Sequence, residues 1–189
     1  INDHFQALIA SLVQESTSSQ TESATEAMAG PVKQPERALQ KCVRLYQRDP
    51  ACLTDLVRCT VVVAKLEQAC SFMRLVKLRS VTGLEPAEEQ PEGRQSRIFR
   101  VMRCVNRLDP EYNAEQRSAG YRDVSLNLEV GWCDIAGPEQ EFRFEAVEDW
   151  DRLRCQRHVC EVQLLLRSMH ELKVQLHQHY TQRRNILAE

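Results

Sequence analysis

GYRDVSLNLEV, residues 120–130, alternates strictly. Val124, Leu126, Leu128 and Val130 share one face of an extended chain, and Tyr121, Asp123, Ser125, Asn127 and Glu129 share the other. Apolar residues at period two define a strand with one face on a core. The second face is furnished unusually. A plainly solvated face carries small polar residues or Lys; this one carries a Tyr, two acids and an Asn behind a Gly-Tyr-Arg start. It is either a wet surface or the floor of a site.

The neighbouring segments supply the rest of a sheet. LTDLVRCTVVVA is dense in β-branched residues and reads as a strand over 55–63; RIFRVMRCV (97–105) and RHVCEVQLLL (157–166) read as two more, and EFRFEAV (141–147) as another. Helical spacing places Phe5, Leu8, Ile9, Leu12 and Val13 on one side of a helix over 3–14. Pro35 suits the first turn of a second helix, with Leu39, Cys42, Val43 and Tyr46 as its buried stripe. LEQACSFMRLVKL (66–78) is a third, resting on Leu66, Ala69, Cys70, Met73 and Val76. VEDWDRLR (147–154) reads as a short helix, and 168–187 as a closing amphipathic one with Met169, Leu172, Leu176, Tyr180 and Leu187 near its apolar side. The segments 85–96, 106–120 and 131–140 are loops or turns by composition. Helices, then β-α-β, then further strands and a helix define an α+β fold: a mixed sheet of about five strands with helices mainly on one face. The other face is left for polar residues. Residues 1–15 form an N-terminal amphipathic helix, 16–30 a Ser/Thr-rich linker, and 31–189 the main domain. The first thirty residues read as the part that reaches other protein chains.

The totals set bounds. The chain has 189 residues and a net charge of −2, without the basic excess of a nucleic-acid binder. No apolar run approaches the roughly 20 residues of a membrane span, and the start carries no secretory pattern. Eight cysteines fall mostly inside apolar periodic segments, with no Cys-x-x-Cys pair, and Cys155, His158 and Cys160 lack the further ligands of a zinc site. Reduced, buried thiols in an intracellular compartment are the expectation.

Three acids sit on or beside strands: Asp55, Asp123 and Glu161. An ionised acid among apolar neighbours must be paired or face water. Two acids converging from adjacent strands suit a Mg²⁺ and phosphoryl-type transfer, provided both carboxylates come within one ion's reach. Otherwise each pairs with an Arg, for which Arg58, Arg103, Arg107 and Arg122 are candidates. Lys33, Arg37 and Lys41 recur every four residues, as a triphosphate cradle or as a solvated helix face. Asn106 and Arg107 precede the loop into Gly-Tyr-Arg. Tyr121 offers a ring for a base, or is a half-buried strand tyrosine. His170, Lys173, His177 and Tyr180 share a region of the last helix, suited to phosphate or acid–base work or simply solvated.

Taken in order, LTDLVRCTVVV, SAGYRDV and CEVQLLLRSMHELK resemble the motifs of the RelA/SpoT-type (p)ppGpp synthetase domain, a nucleotidyltransferase-like fold, over roughly residues 30–185. The resemblance implies Asp55 and Glu161 as Mg²⁺-binding, catalytic acids and Tyr121 as the base platform. It implies Lys33, Arg37, Lys41, Arg58, Asn106, Arg107, Arg122 and Gln163 as nucleotide contacts, with an ATP- or GTP-type ligand. Several positions depart from the family pattern. Arg58 and Thr60 stand where a Gly and an Arg are usual, Ser125 where a His follows, Leu165-Leu166 where Arg-Thr is usual, and Lys173 in place of an Ala. The expectation is a catalytically degenerate copy kept as a structural or interaction subunit, with no Mg²⁺; the alternative is an active Mg²⁺-dependent pyrophosphokinase or nucleotidyltransferase.

Overall fold

A computed structural model describes residues 1–17, 25–80, 96–118, 120–133 and 156–186, the side chains of 96–98, 132, 133, 156 and 177–186 excepted. Five strands form one sheet: β1 (Glu26–Ala29), β2 (Arg58–Val63), β3 (Ser96–Asn106), β4 (Val124–Cys133) and β5 (Gln156–Leu166), in the order β1-β2-β5-β4-β3. Only β2 and β5 run parallel; the other pairs are antiparallel. The helices are α1 (Asn2–Thr17), α2 (Pro35–Leu45), α3 (Leu66–Arg79), the short α4 (Ala114–Ser118) and α5 (Arg167–Ile186). This is the expected α+β plan with a mixed five-strand sheet. The expected strand at 141–147 and helix at 147–154 lie outside the described residues.

The core is the apolar side of the alternation. Cys59, Val61 and Val63 of β2, Cys160, Val162 and Leu164 of β5, and Leu126, Leu128 and Val130 of β4 are buried together against Phe5, Leu8 and Ile9 of α1 and Phe72 and Val76 of α3. Each such side chain contributes roughly 1.5–3 kcal/mol of burial. Gln68 starts α3 by accepting from the Ala64 and Lys65 amides, at 2.8 and 3.0 Å, which satisfies donors that a helix start leaves open.

Several sequence expectations shift. The first thirty residues read as reaching another chain, or this domain only through a partner; α1 instead packs directly on α3, β1 and β2 of its own domain, and Phe5 and Ile9 are fully buried. Glu26–Ala29, inside the Ser/Thr-rich segment, is β1, paired with β2 from Glu26↔Val62 to Ala29↔Cys59. It is short and exposed throughout, so it lacks the buried face that would have marked it. The stripe of α2 faces outward: Leu39, Val43 and Leu45 are largely exposed and Cys42 alone is buried. The stripe of α3 is rotated onto Ala69, Phe72 and Val76, leaving Leu66 and Cys70 exposed. On α5, Leu172 and Leu176 are about half exposed, and Leu187 lies outside the described residues.

β4 begins at Val124, three residues later than the alternation implied, and runs through Gly131 to Cys133, where a turn was expected. Its second face is not wet: Asp123, Ser125 and Asn127 are all buried. On that face Arg58↔Glu161, Thr60↔Gln163, Asn127↔Glu161 and Ser125↔Gln163 are register partners. A register shift between Val101 and Arg103 matters here. Val101 pairs with Leu128, but Arg103 pairs with Asn127, so Met102 is an extra residue. A bulge of this kind swaps the faces of everything beyond it. Phe99 and Val101 belong to the core, whereas Arg103 and Val105 turn to the polar face.

Candidate functional site

The polar face of β3, β4 and β5 opens into a cleft of about 320 Å³. Arg103, Val105 and Arg107 line it from β3 and its end, Tyr121 and Asp123 from the approach to β4, and Glu161 and Gln163 from β5. Tyr112, Arg117 and Ser118 close one side from the loop that carries α4.

Gly-Tyr-Arg has a three-part explanation. Gly120 holds φ +83°, and its amide caps α4 through the Ala114 carbonyl at 2.9 Å. A left-handed residue after a short helix is a usual place for Gly. Tyr121 then enters the cleft. Arg122 leaves it: its guanidinium donates to the carbonyls of Arg107, Asp109 and Tyr112 at 3.1, 3.1 and 3.3 Å. It staples the 107–112 loop.

Asp123 is 1% exposed and accepts from Arg107 at 2.5 Å, while the Arg107 amide donates to the Asp123 carbonyl at 2.8 Å. The Asp123 Oδ2 and the Tyr121 hydroxyl are both buried without a hydrogen-bond partner. Burial, then the charge of Asp123, pushes the Tyr121 phenol well above its ordinary pKa. Glu161 accepts from the Ser125 hydroxyl at 3.1 Å and, through its other oxygen, from Gln163 at 3.2 Å. The side-chain oxygen of Gln163 accepts from Lys173 at 2.7 Å, and the Lys173 ammonium stands 5.7 Å from the centre of the Tyr121 ring. Burial lowers the Lys173 pKa, assisted by Arg58 and opposed by Asp123 and Glu161.

Asp55 is elsewhere. It precedes β2, does not line the cleft, and accepts from both Lys33 and Lys41, the latter at 2.8 Å. Burial alone would raise its carboxyl; the two ammonium groups hold it below the usual range. The lysines respond oppositely. At Lys33 burial, assisted by the charges of Lys41 and Arg58, outweighs the Asp55 contact and lowers it; at Lys41 the Asp55 and Tyr46 contacts outweigh burial and raise it. Arg37 does not join them: it is exposed and donates to Gln40 on its own helix at 3.0 Å. Lys33 lies before α2 begins, so the three basic residues do not form one helical row. Asn106 is exposed and accepts from the Leu108 amide, shaping the loop.

The expected Mg²⁺ pair can be tested against these contacts. Asp55 is answered by two cations, and both Glu161 oxygens already have neutral donors. No cluster of three or more His, Cys, Asp or Glu suited to a metal occurs among the described residues. As arranged, each acid is engaged by its own set of protein donors.

Tyr112 and Arg117, stacked at 5.2 Å, were missed by sequence reasoning. The available signal was Asn113, three residues before Gln116, whose amide it caps at 3.2 Å. Cys42, Cys59 and Cys160 are buried free thiols, while Cys52, Cys70 and Cys104 are free and exposed. No described helix is long and apolar enough to cross a membrane.

A mixed sheet in this order, with a polar cleft over its second face, is the fold of the RelA/SpoT-like (p)ppGpp synthetases. The small alarmone synthetase 1 of Bacillus subtilis, bound to its product pppGpp, superposes with a TM-score of 0.63 at 12% identity, over 96% of this chain and 75% of that one. Small alarmone synthetase 2 of the same organism gives 0.58 at 14% identity, over 97% and 76%. A GTP pyrophosphokinase family protein from Streptococcus pneumoniae gives 0.55 at 12%, over 95% and 70%. No protein-family profile and no curated protein sequence matches the chain.

Proposed function

We propose that this chain is a catalytically degenerate copy of the synthetase fold, which keeps a cleft for a phosphorylated, nucleotide-type ligand and serves as a structural or interaction subunit. One observation carries the reading. The Asp55 carboxylate is neutralised by Lys33 and Lys41, whereas Glu161 is engaged by Ser125 and Gln163. Transfer of a pyrophosphoryl group depends on metal-held positioning and charge neutralisation, and each acid is already engaged by its own protein partners. The cleft arginines favour an anion, and the pppGpp carried by a relative of this fold supports a nucleotide-type ligand. The outward apolar side of α2, with Leu39, Val43 and Leu45, supports the interaction role.

The test is to incubate the chain with ATP, Mg²⁺ and GDP or GTP and to follow the phosphorus species by NMR, with binding titrations on wild type and Asp55→Ala. The expected outcome is no transfer, and nucleotide binding that Asp55→Ala leaves unchanged. Mg²⁺-dependent product that disappears in Asp55→Ala would establish the active alternative.

A further inference from the structure

Lys173 stands on α5, which contacts β2 and β5, and its side chain meets two residues of the cleft wall, Gln163 and Tyr121. Its ammonium is fixed by Gln163 at 2.7 Å and stands 5.7 Å from the Tyr121 ring centre. Stacked aromatic rings place their centres roughly 4.5–7 Å apart. The ammonium therefore occupies the space that a planar base needs over that face of the ring. The position is held from several sides: by Gln163, by the ring through a cation–π contact, and by the charges of Asp123 and Glu161. The same cleft presents Arg103 and Arg117, neither of which makes an ion pair among the described residues.

We propose that Lys173 keeps a stacked base off Tyr121, so that the cleft recognises its ligand by phosphoryl groups and takes base-free pyrophosphate-type anions at least as well as nucleoside diphosphates. This rests on the reading of the cleft as a phosphorylated-ligand site. A base stacked on an aromatic ring contributes about 1–3 kcal/mol, roughly a 5- to 150-fold change in affinity, and the cleft forgoes it while adding a cation for phosphate.

Calorimetric titrations of pyrophosphate and GDP, without metal, test this on wild type, Lys173→Ala and Lys173→Met. Wild type should bind pyrophosphate at least as tightly as GDP. Both variants should invert the preference, with GDP gaining about 5- to 150-fold and pyrophosphate losing affinity. Lys173→Met keeps the side-chain stem and gives the answer if the Ala variant is unstable. Adding Tyr121→Ala should cancel the GDP gain in the variants, a coupling that a packing role would not produce. A tenfold GDP preference in wild type, or variants without the inversion, would overturn the role of Lys173 alone. Failure of every protein to bind either probe would overturn it together with the cleft reading.

Discussion

Asp123 and Arg107 form one ion pair from unequal positions: the carboxylate is 1% exposed, whereas 26% of the guanidinium side chain meets solvent. Removing the outer member strands a buried charge; removing the inner one leaves a cation that can rehydrate. Arg107→Ala should therefore cost about 3–5 kcal/mol and Asp123→Asn distinctly less, as read from urea unfolding at neutral pH. Asp55 makes a pH prediction. Its folded pKa is lowered, so it contributes stability above the unfolded value of about 3.9, and this is lost as pH falls through the folded pKa. Asp55→Asn should flatten the acid limb of the stability profile below about pH 4, measured by thermal melts from pH 2 to 6. Part of this scale was legible in the sequence. The residue types and alternation of GYRDVSLNLEV left the polar face open between a wet surface and the floor of a site, and an Arg partner for Asp123 was anticipated. That Asp55 would choose lysines was not visible, because the choice depends on the path of the chain before α2.

At the scale of elements, the bulge in β3 sets which arginines reach the cleft. Met102 is half exposed and makes no core contribution, so Met102→Ala should change stability by no more than about 0.5 kcal/mol. Deleting the residue is a different perturbation. It removes the extra residue and leaves Val101↔Leu128 and Arg103↔Asn127 as successive partners, so Arg103 keeps the polar face and Cys104 its pairing with Leu126; the deletion should keep cooperative unfolding and anion binding, as Met102→Ala does, checked by urea unfolding and pyrophosphate titration. The sequence RIFRVMRCV reads as one continuous strand, and nothing in its composition marks the extra residue. For α1 the hydrophobic period was fully legible and its partner was not: an apolar stripe says that a helix is covered, never by what. Ile9→Ala should cost about 2–5 kcal/mol in the isolated chain, by denaturant unfolding, if α1 belongs to this core as Phe5 and Ile9 indicate. The α2 stripe teaches the reverse, since its period was right and no part of the described domain covers Leu39 or Val43.

Over the whole molecule, the fold was readable because three motifs stood in order on segments of the right period, and solved structures share that fold at only 12–14% identity. The chemistry was less readable, since it depends on distances among residues from four strands and two helices. At this scale β1 has a practical consequence. Its four residues look dispensable and precede the boundary at residue 31 that composition drew. They are nonetheless what covers the backbone of Arg58–Val63 along its open side, the side away from β5. A protein trimmed to that boundary would bare the amides and carbonyls of a Val-rich strand, a template for pairing with another molecule. It would also lose α1, whose Phe5, Leu8 and Ile9 fill the core. Trimming there should convert a dispersed protein into a self-associating one, visible as growth in light scattering at concentrations where the full chain stays constant.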